Sequence, residues 1–239
     1  MYIACSKPYS IEESEAVLMK EIIKINNLSL TIKKTEILKN VTVSFEAGSI
    51  HGIIGRNGSG KTMLMKCICG FVKPTEGEIF VDGKRIGKDC DFPKNIGVII
   101  ETPGFIPYYS GYKNLKLLAD LNRKITKERI EEAMVQVGLD PKLKRHVKKY
   151  SLGMRQRLGF AQAIMEDPDL LILDEPMNGL DKEGVEDMRQ YLLDFKEQGK
   201  TILIASHSAE DIEVLCDTVC EMDKGILTAL KGFDTISAE

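Results

Sequence analysis

The sequence predicts an α/β fold in three parts: a core built on a mostly parallel sheet, an antiparallel β subdomain, and an inserted helical lobe. Three observations predict it. Residues 55–62 read Gly-Arg-Asn-Gly-Ser-Gly-Lys-Thr and lie between an apolar run ending at Ile54 and a helix-compatible segment, 63–69. Residues 170–173 are all apolar and end in Asp174 and Glu175, as in a parallel strand buried on both faces. Between about 102 and 165 the period-two alternation gives way to helical spacing.

Taken in order, residues 22–30 and 41–45 alternate apolar and polar side chains and read as strands of a half-buried sheet. Residues 50–54 form the strand that feeds the glycine-rich segment. Short strands follow at 78–81 and 96–100, separated by turn signals at Asp82-Gly83 and at 91–95. In the lobe, Leu115, Leu118 and Leu121 share one helical face, and Ile130, Ala133, Met134 and Val137 share another that Gly138 ends. A third helix is expected over 153–165. A long helix over 182–197 places Val185, Met188, Leu192 and Phe195 on one side and stops at Gly199. Strands at 201–205, 218–222 and 226–229 close the sheet.

A chain of 239 residues is large enough to bury roughly 70–75% of its unfolded surface in one domain with a lobe. The net charge of −3 gives no global basic field, so nucleic acid is not an expected partner. The run 142–149 carries five Lys or Arg plus His146 and reads as a solvated face of the lobe. None of the six cysteines, at 5, 67, 69, 90, 216 and 220, is spaced as a C-x₂-C pair, so they read as reduced thiols of a cytosolic protein. No apolar stretch approaches the about 18 residues of a membrane span. Residues 1–18 read as an extension, and 19–239 as the folded domain. His51, inside an apolar strand, reads as a packed core histidine.

The segment 55–62 matches G-x-x-x-x-G-K-[ST] in the strand–loop–helix setting that gives this pattern physical meaning. Gly55, Gly58 and Gly60 allow the backbone to curl so that the N–H groups of Arg56, Asn57, Ser59 and their neighbours converge on an anion. The following helix N-terminus adds its positive end. Lys61 is then set to bridge β- and γ-phosphates and Thr62 to ligate Mg²⁺, which defines a P-loop NTPase core that binds a nucleoside triphosphate. Asp174 and Glu175 stand at the carboxyl end of a buried strand, where ligands of open α/β sheets bind. Asp174 is the expected Mg²⁺ partner, and Glu175 is placed to orient and deprotonate an attacking water. Residues 150–158, Tyr-Ser-Leu-Gly-Met-Arg-Gln-Arg-Leu, put Ser151 and Gly153 at a helix start, a second anion site on the lobe. One chain thus holds half of each of two phosphate sites, which suggests two chains meeting head to tail.

The order of these motifs resembles the ATP-binding subunit of ATP-binding cassette (ABC) transporters over about 22–230. Residues 150–156 resemble that family's signature motif, with Ser151 and Gly153 kept and Leu152 and Met154 in place of a glycine and a glutamine. Residues 178–181, Asn-Gly-Leu-Asp, resemble the loop that meets the opposite subunit, and His207 resembles the histidine that senses the γ-phosphate. The resemblance implies an ATPase using ATP and Mg²⁺, catalysed with Glu175 and His207, and paired with a second ATPase subunit. It also implies a transmembrane permease as partner and a cytoplasmic location on the inner face of the membrane. Two further positions depart from the pattern. Glu101 stands where a metal-touching glutamine is usual, and Ile32 where an aromatic stacks on adenine. The signature, with the loop 100–105, resembles a bacterial branch that exports bacitracin-like and lantibiotic peptides. A soluble ATPase of the iron–sulphur assembly type is the alternative.

Overall fold

The computed structural model describes residues 20–101, 104–122 and 125–232. The expected extension at 1–18, and Cys5 within it, lie outside the described residues. The elements run β1 (Glu21–Ile32), β2 (Thr35–Glu46), β3 (Ile50–Ile54), α1 (Lys61–Ile68), β4 (Glu76–Val81), β5 (Lys84–Arg85), β6 (Ile96–Ile99), α2 (Gly111–Asn122) and α3 (Lys127–Gln136). A single 3₁₀ turn, Val147–Lys149, precedes α4 (Leu152–Ile164). The chain continues through β7 (Leu170–Asp174), α5 (Lys182–Glu197), β8 (Thr201–Ser206), α6 (Ala209–Leu215), β9 (Thr218–Asp223) and β10 (Ile226–Lys231).

Two sheets result. One is four-stranded, order β2-β1-β4-β5, and its pairs are all antiparallel. The other is six-stranded, order β10-β9-β3-β8-β7-β6, parallel throughout except for β10 at one edge. Every residue of β7 and of β8 is buried, as their unbroken apolar runs require. Alternate side chains of β7 serve two cores. Leu170 and Ile172 join β1, β2 and α1 on one face, while Leu171 and Leu173 join the helices on the other. Burying each of these side chains contributes about 1.5–3 kcal/mol. The expected core histidine is confirmed: His51 is buried in β3, with Nε2 2.7 Å from the Glu46 carbonyl oxygen and Nδ1 2.7 Å from Thr218 Oγ1.

The helical lobe lies between β6 and β7 in the chain, as expected, and comprises α2, α3 and α4. Its α3 buries Ile130, Ala133 and Met134, with Val137 at its end. One expectation for α2 is corrected. Leu115 is buried and Leu118 half-buried, but Leu121 is 82% exposed, and Ala119 completes the inner face instead. The spacing 115, 118, 119 is the i, i+3, i+4 pattern of a helix stripe, and a third leucine at 121 lies beyond it. Tyr150 fastens the lobe, its buried hydroxyl accepting the Gly111 N–H at 3.2 Å. The 3₁₀ turn is held by Val147 N–H donating to the Tyr109 carbonyl at 2.8 Å.

Candidate functional site

The carboxyl ends of β3, β7 and β8 are neighbours in the parallel sheet, and the three motif segments leave from those ends. From β3 the chain enters the loop 55–60 and then α1. Gly55 cannot be replaced: its φ is 151°, and a β-carbon there would overlap the Met222 carbonyl oxygen. The loop is closed by Ser59 N–H to the Arg56 carbonyl at 3.1 Å and by Gly225 N–H to the Ser59 carbonyl at 2.9 Å. A cavity of about 430 Å³ over the loop is lined by residues 56–63, Ile37, Asp174 and Glu175.

Lys61 is buried at the start of α1. Its ammonium donates to the carbonyls of Gly55 at 2.6 Å and Arg56 at 3.3 Å, and stands 3.7 Å from Glu175 Oε1. The Thr62 hydroxyl donates to Asp174 Oδ2 at 2.6 Å. Burial pushes the Asp174 carboxyl above the ordinary carboxylate range. The Thr62 hydrogen bond and the Lys61 charge oppose this, and the charges of Glu175 and Glu101 add to it. A buried carboxylate in this position gains from any added cation.

Glu175 leaves β7 with φ 51°, a left-handed conformation uncommon outside glycine, and its N–H donates to the Ala205 carbonyl at 2.9 Å. One carboxylate oxygen, Oε2, accepts from the His207 backbone N–H at 3.3 Å and lies 2.7 Å from His207 Nδ1. The other, Oε1, is buried without a hydrogen-bond partner, as is Ser59 Oγ. Two orphaned polar atoms beside one anion-binding loop are groups that a bound ligand or water would satisfy.

The other sequence-derived positions make contacts of their own. Glu101, φ 60° and two residues past the end of β6, pairs with Lys66 of α1 at 2.6 Å. Ile32 sits at the β1–β2 hairpin opposite Thr35, 40% exposed, and Ile37 rather than Ile32 lines the cavity. Ser151 caps α4, its Oγ accepting the Met154 N–H at 3.1 Å, so one of the helix-start donors expected to be free is already taken. Asp181 caps α5 in the same way, accepting from Gly184 N–H at 2.9 Å. Sequence reasoning missed Lys66 and Ile37, since neither belongs to a local motif. Cys67, Cys69, Cys216 and Cys220 are free and buried, and burial pushes each thiol up to about 12, so they are inert packing groups. A larger cleft, about 960 Å³, runs past Arg129 and Gln198 away from the loop and gathers none of the motif residues.

A phosphate loop, a hydroxyl–carboxylate pair and a carboxylate–histidine pair at the ends of three adjacent parallel strands define a P-loop nucleotide-hydrolysing cassette. The chain belongs to the ABC transporter family, whose model matches residues 38–178. It is 45% identical over 206 residues to an uncharacterized ABC transporter ATP-binding protein of Bacillus subtilis, covering 86% of this chain and 94% of that one. It is 39% identical over 213 residues to a bacitracin transport ATP-binding protein of Enterococcus faecalis, covering 88% and 69%. A lantibiotic transport ATP-binding protein of Streptococcus pyogenes is 38% identical over 213 residues, covering 89% and 92%. Among solved structures, a dimeric ATP-binding cassette in a post-hydrolysis state with ADP and Pi shares the fold, with a TM-score of 0.80 at 23% identity over 89% of this chain and 99% of that one. The chain is therefore an ABC-type ATPase, the ATP-hydrolysing subunit of a transporter. Among the described residues no helix is long and apolar enough to cross a membrane.

Proposed function

We propose that this chain drives export of a peptide antibiotic through a separate membrane permease, working as one of two cassettes on the membrane's inner face. The relatives that transport bacitracin and a lantibiotic support the substrate class. Nothing in the site favours the iron–sulphur alternative. The observation that carries the hydrolytic part of the reading is the orphaned Oε1 of Glu175, 3.7 Å from Lys61, with Oε2 held by His207.

In this reading the N–H groups of residues 55–62 and the Lys61 ammonium bind the β- and γ-phosphates of ATP. Ile37, at the cavity wall, offers the purine an apolar face without aromatic stacking. The residues fit Mg²⁺: Thr62 and Asp174 supply hard oxygens. Among the described residues no cluster of three or more His, Cys, Asp or Glu could hold a metal by itself. That suits an ion shared with phosphates and water. The metal, when bound, neutralises phosphate charge, and Glu101 adds negative charge nearby. Glu175 Oε1 accepts a proton from the attacking water as its oxygen bonds to the γ-phosphorus. The bond from that phosphorus to the bridging oxygen breaks, and the electron pair leaves with ADP. His207 fixes Oε2 so that Oε1 faces the water. Ser151 and Gly153 present the α4 start to the γ-phosphate held by the opposite cassette.

Lys61→Ala tests the phosphate site. Equilibrium binding should show MgATP affinity reduced at least about tenfold, with hydrolysis abolished, because a charged hydrogen bond contributes about 1.5–3 kcal/mol. Tight MgATP binding with normal turnover would overturn the assignment.

A further inference from the structure

We infer that Leu152 is a positioning residue that ties the start of α4 to the loop 178–181, and through that loop to Glu175. The inference rests on reading Ser151 as the face offered to a second cassette. Leu152 is the residue that departs from the glycine of the family signature, and a large apolar side chain at an exposed helix start needs a reason. It is 48% exposed, and its inner half lies on Gly179. Gly179 has φ 79°, and a β-carbon there would overlap Leu152 Cγ and Cδ2. The contact continues at Gly153, whose own β-carbon would meet the Gly179 carbonyl oxygen at 3.4 Å and Leu180 Cδ2 at 3.6 Å.

Behind this contact both segments are anchored. Arg157 of α4 pairs with Asp187 of α5 at 3.0 Å, and Asp181 caps α5. Ahead of it the loop leads directly to the reacting centre, since Asn178 N–H donates to the Glu175 carbonyl at 3.1 Å. Leu152 is therefore the wall against which Gly179 rests. Its position sets the angle at which Glu175 leaves β7. With glycine at 152 the wall is missing, and Arg157–Asp187, farther along α4, is left to hold the two segments.

A double-mutant cycle on the full chain tests this, with steady-state ATP hydrolysis, MgATP affinity and the thermal unfolding midpoint measured together. Leu152→Ala removes Cγ and both Cδ atoms but keeps helix propensity. It should lower kcat about tenfold while MgATP affinity and the midpoint stay near those of the unsubstituted chain. Leu152→Met should restore kcat. Gly179→Ala should cost at least about fivefold more in kcat with Leu152 present than with Leu152→Ala. In the double variant the two β-carbons meet at 3.4 Å, an ordinary contact. The proposal is overturned if Leu152→Ala turns over normally, or if Gly179→Ala costs the same factor in both backgrounds. It is also overturned if kcat falls only in step with the midpoint and Leu152→Met does not restore it. If Glu175→Gln remains monomeric with MgATP, the two-cassette reading fails separately, and the cycle still reports on the contact.

Discussion

Glu101 and Lys66 set a charge balance beside Thr62 and Asp174, the oxygens proposed to hold Mg²⁺. The Glu101 carboxylate is one of the charges acting on buried Asp174, and Lys66, 2.6 Å away, draws it toward the last turn of α1. The pair is largely exposed on the Glu101 side, so solvent screens it and effects of about 0.2–1 kcal/mol are expected. Glu101→Gln should raise the Mg²⁺ concentration for half-maximal hydrolysis by about 1.4- to fivefold. Lys66→Gln, which releases the carboxylate, should lower it. A Mg²⁺ titration that moves the same way for both, or for neither, would show that Glu101 does not act on the metal. A glutamate at 101 was visible in the sequence. Its partner was not, because residues 66 and 101 meet only once β6 is placed beside α1.

Element by element, the parallel core was read most closely from the sequence. The bounds expected for β3 and α5 are those observed, because Gly55 ends the one and Asp181 and Gly199 bracket the other. The strands β1 and β2 run longer than their alternation implied. Backbone pairing extends them through polar residues to a hairpin whose turn, Lys33 and Lys34, takes positive φ of 47° and 67° without glycine or asparagine to announce it. The seven-residue α6 gave too short a periodic signal, although Ser208 caps it. In the site, Lys61, Thr62, Asp174 and Glu175 were legible because each motif is local. Ile37 and the Leu152–Gly179 contact join distant segments and leave no local pattern. One element also carries a pH signature. Glu46 offers His51 only a carbonyl, so Nε2 bears the proton and Nδ1 accepts from the Thr218 hydroxyl. Burial holds the His51 pKa below its usual value of about 6.5. The unfolded chain then binds the proton first, so this stabilisation is complete above about pH 6.5 and is lost as the pH falls through the lower, folded value. The stability difference between the unsubstituted chain and His51→Gln, read from urea midpoints, should therefore be larger at pH 7.5 than at pH 5. A pH-independent difference would mean that His51 is not the titrating group.

At the scale of the whole molecule, the two proposed half-sites lie apart in one chain. The phosphate loop, Asp174 and Glu175 gather at the ends of β3 and β7, while Ser151 and Gly153 stand on the lobe at the start of α4. Two chains placed head to tail would complete both sites, and ATP would then serve as substrate and as the link between cassettes. In the proposed mechanism hydrolysis would remove that link and let the pair separate, turning a chemical step into a movement a permease can use. The most direct measurement is hydrolysis by Glu175→Gln, followed with size-exclusion chromatography in MgATP. Glutamine keeps the shape at Oε1 and loses the base. The rate should fall by about 10²–10⁴, ATP should be retained, and the variant should elute as a dimer that Ser151→Arg abolishes. Hydrolysis by Glu175→Gln at the unsubstituted rate would contradict the account.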